Sequence, residues 1–239
     1  MIRQHFQDKE TIVTIIAEKE DFIKAAIDEI ENKRKDIQKY IQKDNFFKVT
    51  FEPYQIKNKA PEIIKKMCDS SSKFNLGPMS TVAGIIAEYS LKAMIRKGAK
   101  NAIVDNGGDI ALISDRTLTI GIHTGNKKTN KLAFEIPATN KILGICTSSG
   151  KIGHSFSFGN TDASIVISED LALADAAATA LGNSVKNKED IQKSFKILEN
   201  KKGIQGSIVF IDEKIGIWGE IPSLLQANIP DNKITRQVI

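Results

Sequence analysis

Apolar positions recur along this chain with two different periods, and the switches between them mark its elements. Residues 11–17 (TIVTIIA) form a short β-branched run between charges and predict a strand. From about Asp21 to Gln42 the period lengthens. Ile23, Ile27, Ile30, Ile37 and Ile41 fall on one helical face, with Lys33, Arg34, Lys35 and Asp36 expected in water. Residues 46–51 are a second apolar, β-prone run, stopped by Pro53. Pro61 suits the first position of a short helix reaching about Ser70, where its missing N–H costs nothing. After Gly77-Pro78 a further helix is expected from about Ser80 to Lys97, closed by Arg96, Lys97 and Gly98.

The pattern then shortens. Residues 102–105, 110–114, 118–122, 133–136, 142–146 and 164–167 read as short strands separated by turn residues, with a solvated loop at 126–131. An Ala-rich helix is expected at 170–183, with Ser168 as its N-cap and Gly182 as its stop, and another from Glu189 to about Leu198. Residues 207–212 and 214–218 form a hairpin pattern. Strand clusters surround helices without strict βαβ alternation, which argues for an α+β protein with largely antiparallel sheet.

Composition narrows the class. The 239 residues carry 41% hydrophobic and 26% charged residues, which excludes intrinsic disorder, and at about 150 residues per domain they span between one and two units. The net charge is only +5 and aromatics are 6%, with no zinc-finger or recognition-helix spacing, so nucleic acid is not an expected partner. Cys68 and Cys146 form no CxxC pair and suit a reducing compartment. No run approaches membrane-spanning length and the first residues lack an apolar signal core, so a soluble, cytoplasmic protein is expected.

Four segments carry candidate chemistry. In Ala174-Asp175-Ala176-Ala177-Ala178-Thr179, Asp175 and Thr179 stand four apart, so on a helix their oxygens share a face suited to a hard cation such as Mg²⁺. Spacing alone favours a small-residue packing helix with its Asp hydrogen-bonded to a neighbouring backbone, because Asp and Thr four apart are common by chance. Asp105-Asn106-Gly107-Gly108-Asp109 offers backbone N–H groups to a ligand, or simply turns a hairpin. The stretch Cys146-Thr147-Ser148-Ser149-Gly150, continuing through His154 to Gly159, looks like a hydroxyl- and glycine-rich loop wrapped on a phosphate or a ring. Cys146 reads either as a reactive thiol or as a small buried hydrophobe. Gly77-Pro78-Met79-Ser80-Thr81-Val82-Ala83-Gly84 starts a helix, giving either an anion site at its N-terminus or a close crossing at Gly84.

In order, these motifs resemble the ApbE-like superfamily, flavin-handling proteins typified by FAD:protein FMN transferase. The similarity runs from about Thr11 to Trp218 and is nearest to a cytoplasmic branch common in methanogenic archaea. The resemblance implies an α+β, T-fold-like architecture of two pseudo-repeated αβ halves with antiparallel sheets, within a single domain over 1–239, the halves meeting near 98–125. It implies Mg²⁺ on Asp175 and Thr179, and FAD or FMN as ligand or substrate. Gly77, Gly107, Gly108, Asp109, Thr147, Ser148, Ser149 and Gly150 then become cofactor-binding positions, and His154 and Asp175 catalytic ones. An acceptor protein is the implied partner, and assembly through sheets implies a homodimer. The departures are equally specific. The transferases carry a lysine-glycine pair where this chain has Ser80-Thr81-Val82-Ala83-Gly84, and their histidine segment continues differently from Gly153-His154-Ser155-Phe156-Ser157-Phe158-Gly159. Two other functions follow from the same fold: a factor in sulfur assimilation, forming homocysteine through Cys146, and a flavin-binding module without catalysis.

Overall fold

The computed structural model describes residues 1–57, 59–126, 129, 131–150, 158–227 and 235. The chain opens with an antiparallel hairpin, β1 (Ile2–Asp8) and β2 (Thr11–Ala17), followed by α1 (Glu20–Lys43), α2 (Phe46–Val49) and α3 (Glu62–Ser72). A 3₁₀ turn at Pro78–Thr81 leads directly into α4 (Val82–Arg96), and the chain returns through the hairpin β3 (Ala102–Asn106) and β4 (Asp109–Ser114). An excursion forms β5 (Leu118–Gly121) and β6 (Leu132–Ile136). The order of a hairpin, helices and a second hairpin then repeats. It comprises β7 (Thr139–Ser148), β8 (Ala163–Ser168), α5 (Leu171–Ser184), the short α6 (Ile191–Ser194), β9 (Ile204–Ile211) and β10 (Lys214–Gly219). Finally β11 (Ser223–Gln226) pairs back onto β6.

Both sheets are antiparallel throughout. The large one has eight strands in the order β1-β2-β3-β4-β7-β8-β9-β10, so the two four-stranded groups join at the β4–β7 ladder. The small one runs β11-β6-β5. The alternation along β2 and β3 explains the layering. Val13, Ile15, Ala17, Ala102 and Val104 face one core, shared with Ile23, Ile30, Ile37, Ile86, Leu91, Ala177 and Leu181 of the helices. On the opposite face a second core forms between Ile145, Ile165, Ile167, Ile208 and Phe210 and the small sheet's Phe134 and Ile136. Among the described residues no helix is long and apolar enough to cross a membrane.

Several elements depart from the reading of the pattern, each for a physical reason. Residues 46–51 do not form a strand. Asp44 Oδ1 accepts the Phe46 N–H at 3.0 Å, starting a helical turn, and Phe47 is driven into an aromatic cluster with Tyr40 and Tyr54. A short apolar run has no period that distinguishes the two states. Arg34 is not in water: it is 9% exposed, donates to Asp8 Oδ2 at 2.7 Å and bonds the Thr11 hydroxyl, clamping α1 to the first hairpin. Helix α5 is capped by Asp170, which accepts the Leu173 N–H, while Ser168 Oγ accepts the Asp170 N–H instead. Gly182 does not end that helix, which continues to Ser184. The expected helix at 189–198 is broken into 3₁₀, α and 3₁₀ turns at 188–197. The loop at 126–131 is described only at 126, 129 and 131, and Thr129 is buried there.

Candidate functional site

The site forms where α4 crosses α5 above the turn between β3 and β4. Gly84 permits that crossing, since a Cβ on it would lie 2.6 Å from the Leu171 carbonyl oxygen and 2.9 Å from Asp175 Cβ. Both readings of the segment therefore hold together: Gly84 is a close crossing, and its N–H donates to Asp175 Oδ2 at 2.9 Å. The N-terminus of α4 thus already has its anion, the Asp175 carboxylate, which also takes the Ala83 N–H. Asn106 fixes the same junction from below by donating its side-chain amide to the Ala83 carbonyl at 3.0 Å.

The DNGGD segment is a two-residue hairpin turn. Asn106 pairs with Asp109, and Gly107 and Gly108 take φ values of 66° and 105°, the left-handed region open to glycine. Asp105 Oδ1 accepts the Gly108 N–H at 3.0 Å and closes the turn from the opposite sheet face. The hairpin then delivers Asp109 to the helix side, where it is 5% exposed and accepts the Thr147 N–H at 3.1 Å. Asp109 also shares a hydrogen bond with Asp175, so two carboxyl groups meet in a site largely closed to water.

Their electrostatics follow from that placement. Burial pushes Asp109 up to about 7, opposed by hydrogen bonds from Thr147 and Cys146 and reinforced by the nearby Asp105 charge. Asp175 is raised well above the usual carboxylate range, first by burial and then by the charge of Asp109. Two carboxylates in contact hold one proton between them unless a cation takes its place. Thr179 lies one turn further along the same face of α5, partly buried. Among the described residues no three His, Cys, Asp or Glu side chains gather into a metal cluster. The donor set is two carboxylates with a neighbouring hydroxyl, all hard oxygen ligands. That set is too few to enclose an ion and is of the kind Mg²⁺ shares with waters and phosphates.

The other sequence-derived positions separate into groups. Gly108, Asp109, Thr147 and Asp175 converge, with Thr147 Cβ 3.7 Å from where a Cβ on Gly108 would lie. Gly107 is exposed at the tip of the turn. Ser148 is buried one layer further along α5, beside Gly182, Thr161 and Ser164, and Ser149 is partly buried. Gly150 donates its N–H to the Thr161 carbonyl and lacks the Cβ that would strike the Gly159 carbonyl. Gly77 packs on Thr50 and Phe51. His154 lies outside the described residues. Cys146 is fully buried with its thiol toward the Leu171 carbonyl at 3.5 Å, and burial and the Asp109 charge hold it protonated well above the ordinary range. It acts there as a packed hydrogen-bond donor, which lends the sulfur-chemistry reading no support. Asn106, which sequence reasoning placed only in the turn, is the tie between that turn and α4. Its position beside the glycine pair was the one available signal.

A family model described as AbpE bacteria matches residues 2–196. The UPF0280 protein of Methanosarcina barkeri is 44% identical over 236 residues, covering 98% of this chain and 93% of that protein. The chain therefore belongs to this ApbE-like family. Among solved structures, the apo flavinyl transferase ApbE of Pseudomonas stutzeri superposes with a TM-score of 0.59 at 11% identity, covering 91% of this chain and 95% of its own. The ApbE protein of Thermotoga maritima does so with a TM-score of 0.54 at 11% identity, covering 99% and 100%. At that identity the likeness concerns the fold.

Proposed function

We propose that this protein binds a flavin nucleotide at the Asp109–Asp175 pair with a divalent cation, Mg²⁺, and transfers the FMN moiety of FAD to a hydroxyl of an acceptor protein. The observation that carries the reading is the pair itself: a buried Asp109 and a partly buried Asp175, both oriented by backbone N–H groups and short of one positive charge. Asp109, Asp175 and Thr179 would hold the cation, which neutralises pyrophosphate charge when bound. The Ala83 and Gly84 N–H groups fix Asp175, and the Thr147 N–H fixes Asp109, so neither carboxylate has to reorganise when substrate arrives. In the transfer, the acceptor oxygen bonds to the FMN phosphorus, the bond to AMP breaks, and the hydroxyl proton passes to a base. His154 is the residue proposed for that role.

The test is titration of FAD with Mg²⁺ or with chelator, for wild type and Asp175→Asn, followed by mass spectrometry of an acceptor protein. A Mg²⁺-dependent affinity lost in the variant, with FMN on the acceptor and AMP released, supports the proposal. FAD bound and recovered intact would leave a flavin-binding module. No Mg²⁺ dependence, with Asp175→Asn behaving as wild type, refutes the assignment.

A further inference from the structure

Large apolar side chains standing in water on a fixed backbone mark binding surfaces. Phe46, Val49 and Phe51 are exposed within six residues, and Phe158 comes from the other half of the chain to meet Phe51. Phe51 and Phe158 are 60% and 59% exposed, with ring centroids 5.6 Å apart at 72°. An edge-to-face pair of this kind leaves ring faces open to a further aromatic group.

Both rings are held by their backbones. The Gly77 N–H donates to the Phe51 carbonyl at 2.8 Å, and a Cβ on Gly77 would lie 2.0 Å from the Thr50 carbonyl oxygen. On the other side Asn183 Oδ1 accepts the Phe158 N–H at 2.8 Å, and the Lys186 ammonium donates to the Phe158 carbonyl. Gly159 follows, where a Cβ would lie 1.8 Å from the Gly182 carbonyl oxygen. These anchors lead back to the carboxylate pair. Gly77 opens the 3₁₀ turn into α4, whose Gly84 N–H holds Asp175. Asp175, Thr179 and Asn183 occupy successive turns on one face of α5, so the Phe158 anchor stands about 12 Å along the helix from Asp175.

We propose that Phe51 and Phe158 form a ring subsite that stacks the fused planar ring of the ligand whose anionic part sits at Asp109 and Asp175. The proposal rests on the flavin reading above and adds the residues that would select the ring. It gives Gly77, Gly159 and Asn183 a common purpose, which is to hold two phenylalanines from the two halves of the chain at one end of the site. Stacking on phenylalanine has no hydrogen-bond demand, so the subsite discriminates by ring size and planarity.

Riboflavin, ADP and FAD serve as probes, titrated with Mg²⁺ into wild type, Phe51→Ala, Phe158→Ala, Phe158→Tyr and Asp175→Asn. Flavins are followed by fluorescence and ADP by calorimetry. Each alanine variant is expected to weaken riboflavin and FAD about 5- to 150-fold, the range of aromatic stacking losses, with an unchanged melting temperature because both rings are exposed. Phe158→Tyr should stay within about threefold, since it keeps the ring face, and ADP should be unaffected by either alanine. Equal flavin affinity in wild type and both alanine variants overturns the proposal, as does an equal loss for ADP or a wild type that binds neither flavin. Asp175→Asn separates the two assignments: it should weaken ADP and FAD and leave riboflavin unchanged. If instead it alters nothing while the alanine variants lose riboflavin, the cation site fails and the ring subsite stands.

Discussion

Replacing Asp109 with asparagine should stabilise the ligand-free protein at neutral pH and remove the part of its pH dependence that Asp109 contributes. The folded state keeps the Asp109 proton up to about pH 7, whereas the unfolded chain releases it near 3.8. Between those values the folded state binds the extra proton, so stability falls as pH rises through this window and stays low above it. Raising a carboxyl from 3.8 to about 7 corresponds to a ceiling of about 4 kcal/mol at about 1.36 kcal/mol per pKa unit. Relaxation around the partly buried Asp175 should leave about 2 kcal/mol as the observable gain, or about 4–8 °C in melting temperature for a chain of this size. Asparagine suits the position because its oxygen still accepts the Thr147 N–H and its amide donates to Asp175. The assay is thermal unfolding from pH 4 to pH 8 in chelator, for wild type and Asp109→Asn. Added Mg²⁺ at pH 8 should recover the wild-type loss and do little for the variant. Parallel wild-type and variant curves across the whole range would refute the buried-pair argument.

Other perturbations probe different parts of the same framework. Gly84→Ala puts a Cβ 2.6 Å from a backbone oxygen of α5, so the helices must part; a loss of about 1–3 kcal/mol in denaturant unfolding is expected, together with weaker FAD binding. Arg34→Met should cost about 1–2 kcal/mol, less than a fully buried pair because Asp8 remains 38% exposed, and the lower denaturant midpoint should come with faster exchange of the β1 amides. Neither thiol should react with a disulfide reagent before unfolding: Cys68 is buried with its pKa pushed up to about 12, and Cys146 is buried with its thiol likewise held protonated by burial and the Asp109 charge. Rapid native-state labelling of either would contradict the burial described. Asn183→Ala should free the Phe158 backbone and lower flavin affinity more than stability, which a paired binding and melting experiment resolves.

Long periodic segments are legible in residue order alone. The isoleucine face of α1 and the β-branched run of β2 lie within one or two residues of their expected limits, because each carries enough turns or alternations to declare its period. The edge strand β1 (IRQHFQD) shows no such signal: it is polar and exposed, and exists because its seven residues find register opposite β2. Likewise β11 forms only against β6, and residues 46–49 are helical because Tyr40 and Tyr54 await Phe47.

The candidate site divides along the same line. Asp175 and Thr179 stand four apart in one helix, and the glycine pair before Asp109 demands a tight turn; both are local facts, readable from residue order. That Asp109 meets Asp175, that Gly84 and Thr147 supply their N–H groups, and that Phe51 meets Phe158 depend on contacts between segments far apart in the chain. Such contacts come from the α4–α5 crossing and the β4–β7 seam, where packing selects the geometry and local propensity has no say. Residue order supplied the side-chain types; packing brought two carboxyl groups into one poorly solvated place and so raised their affinity for a proton.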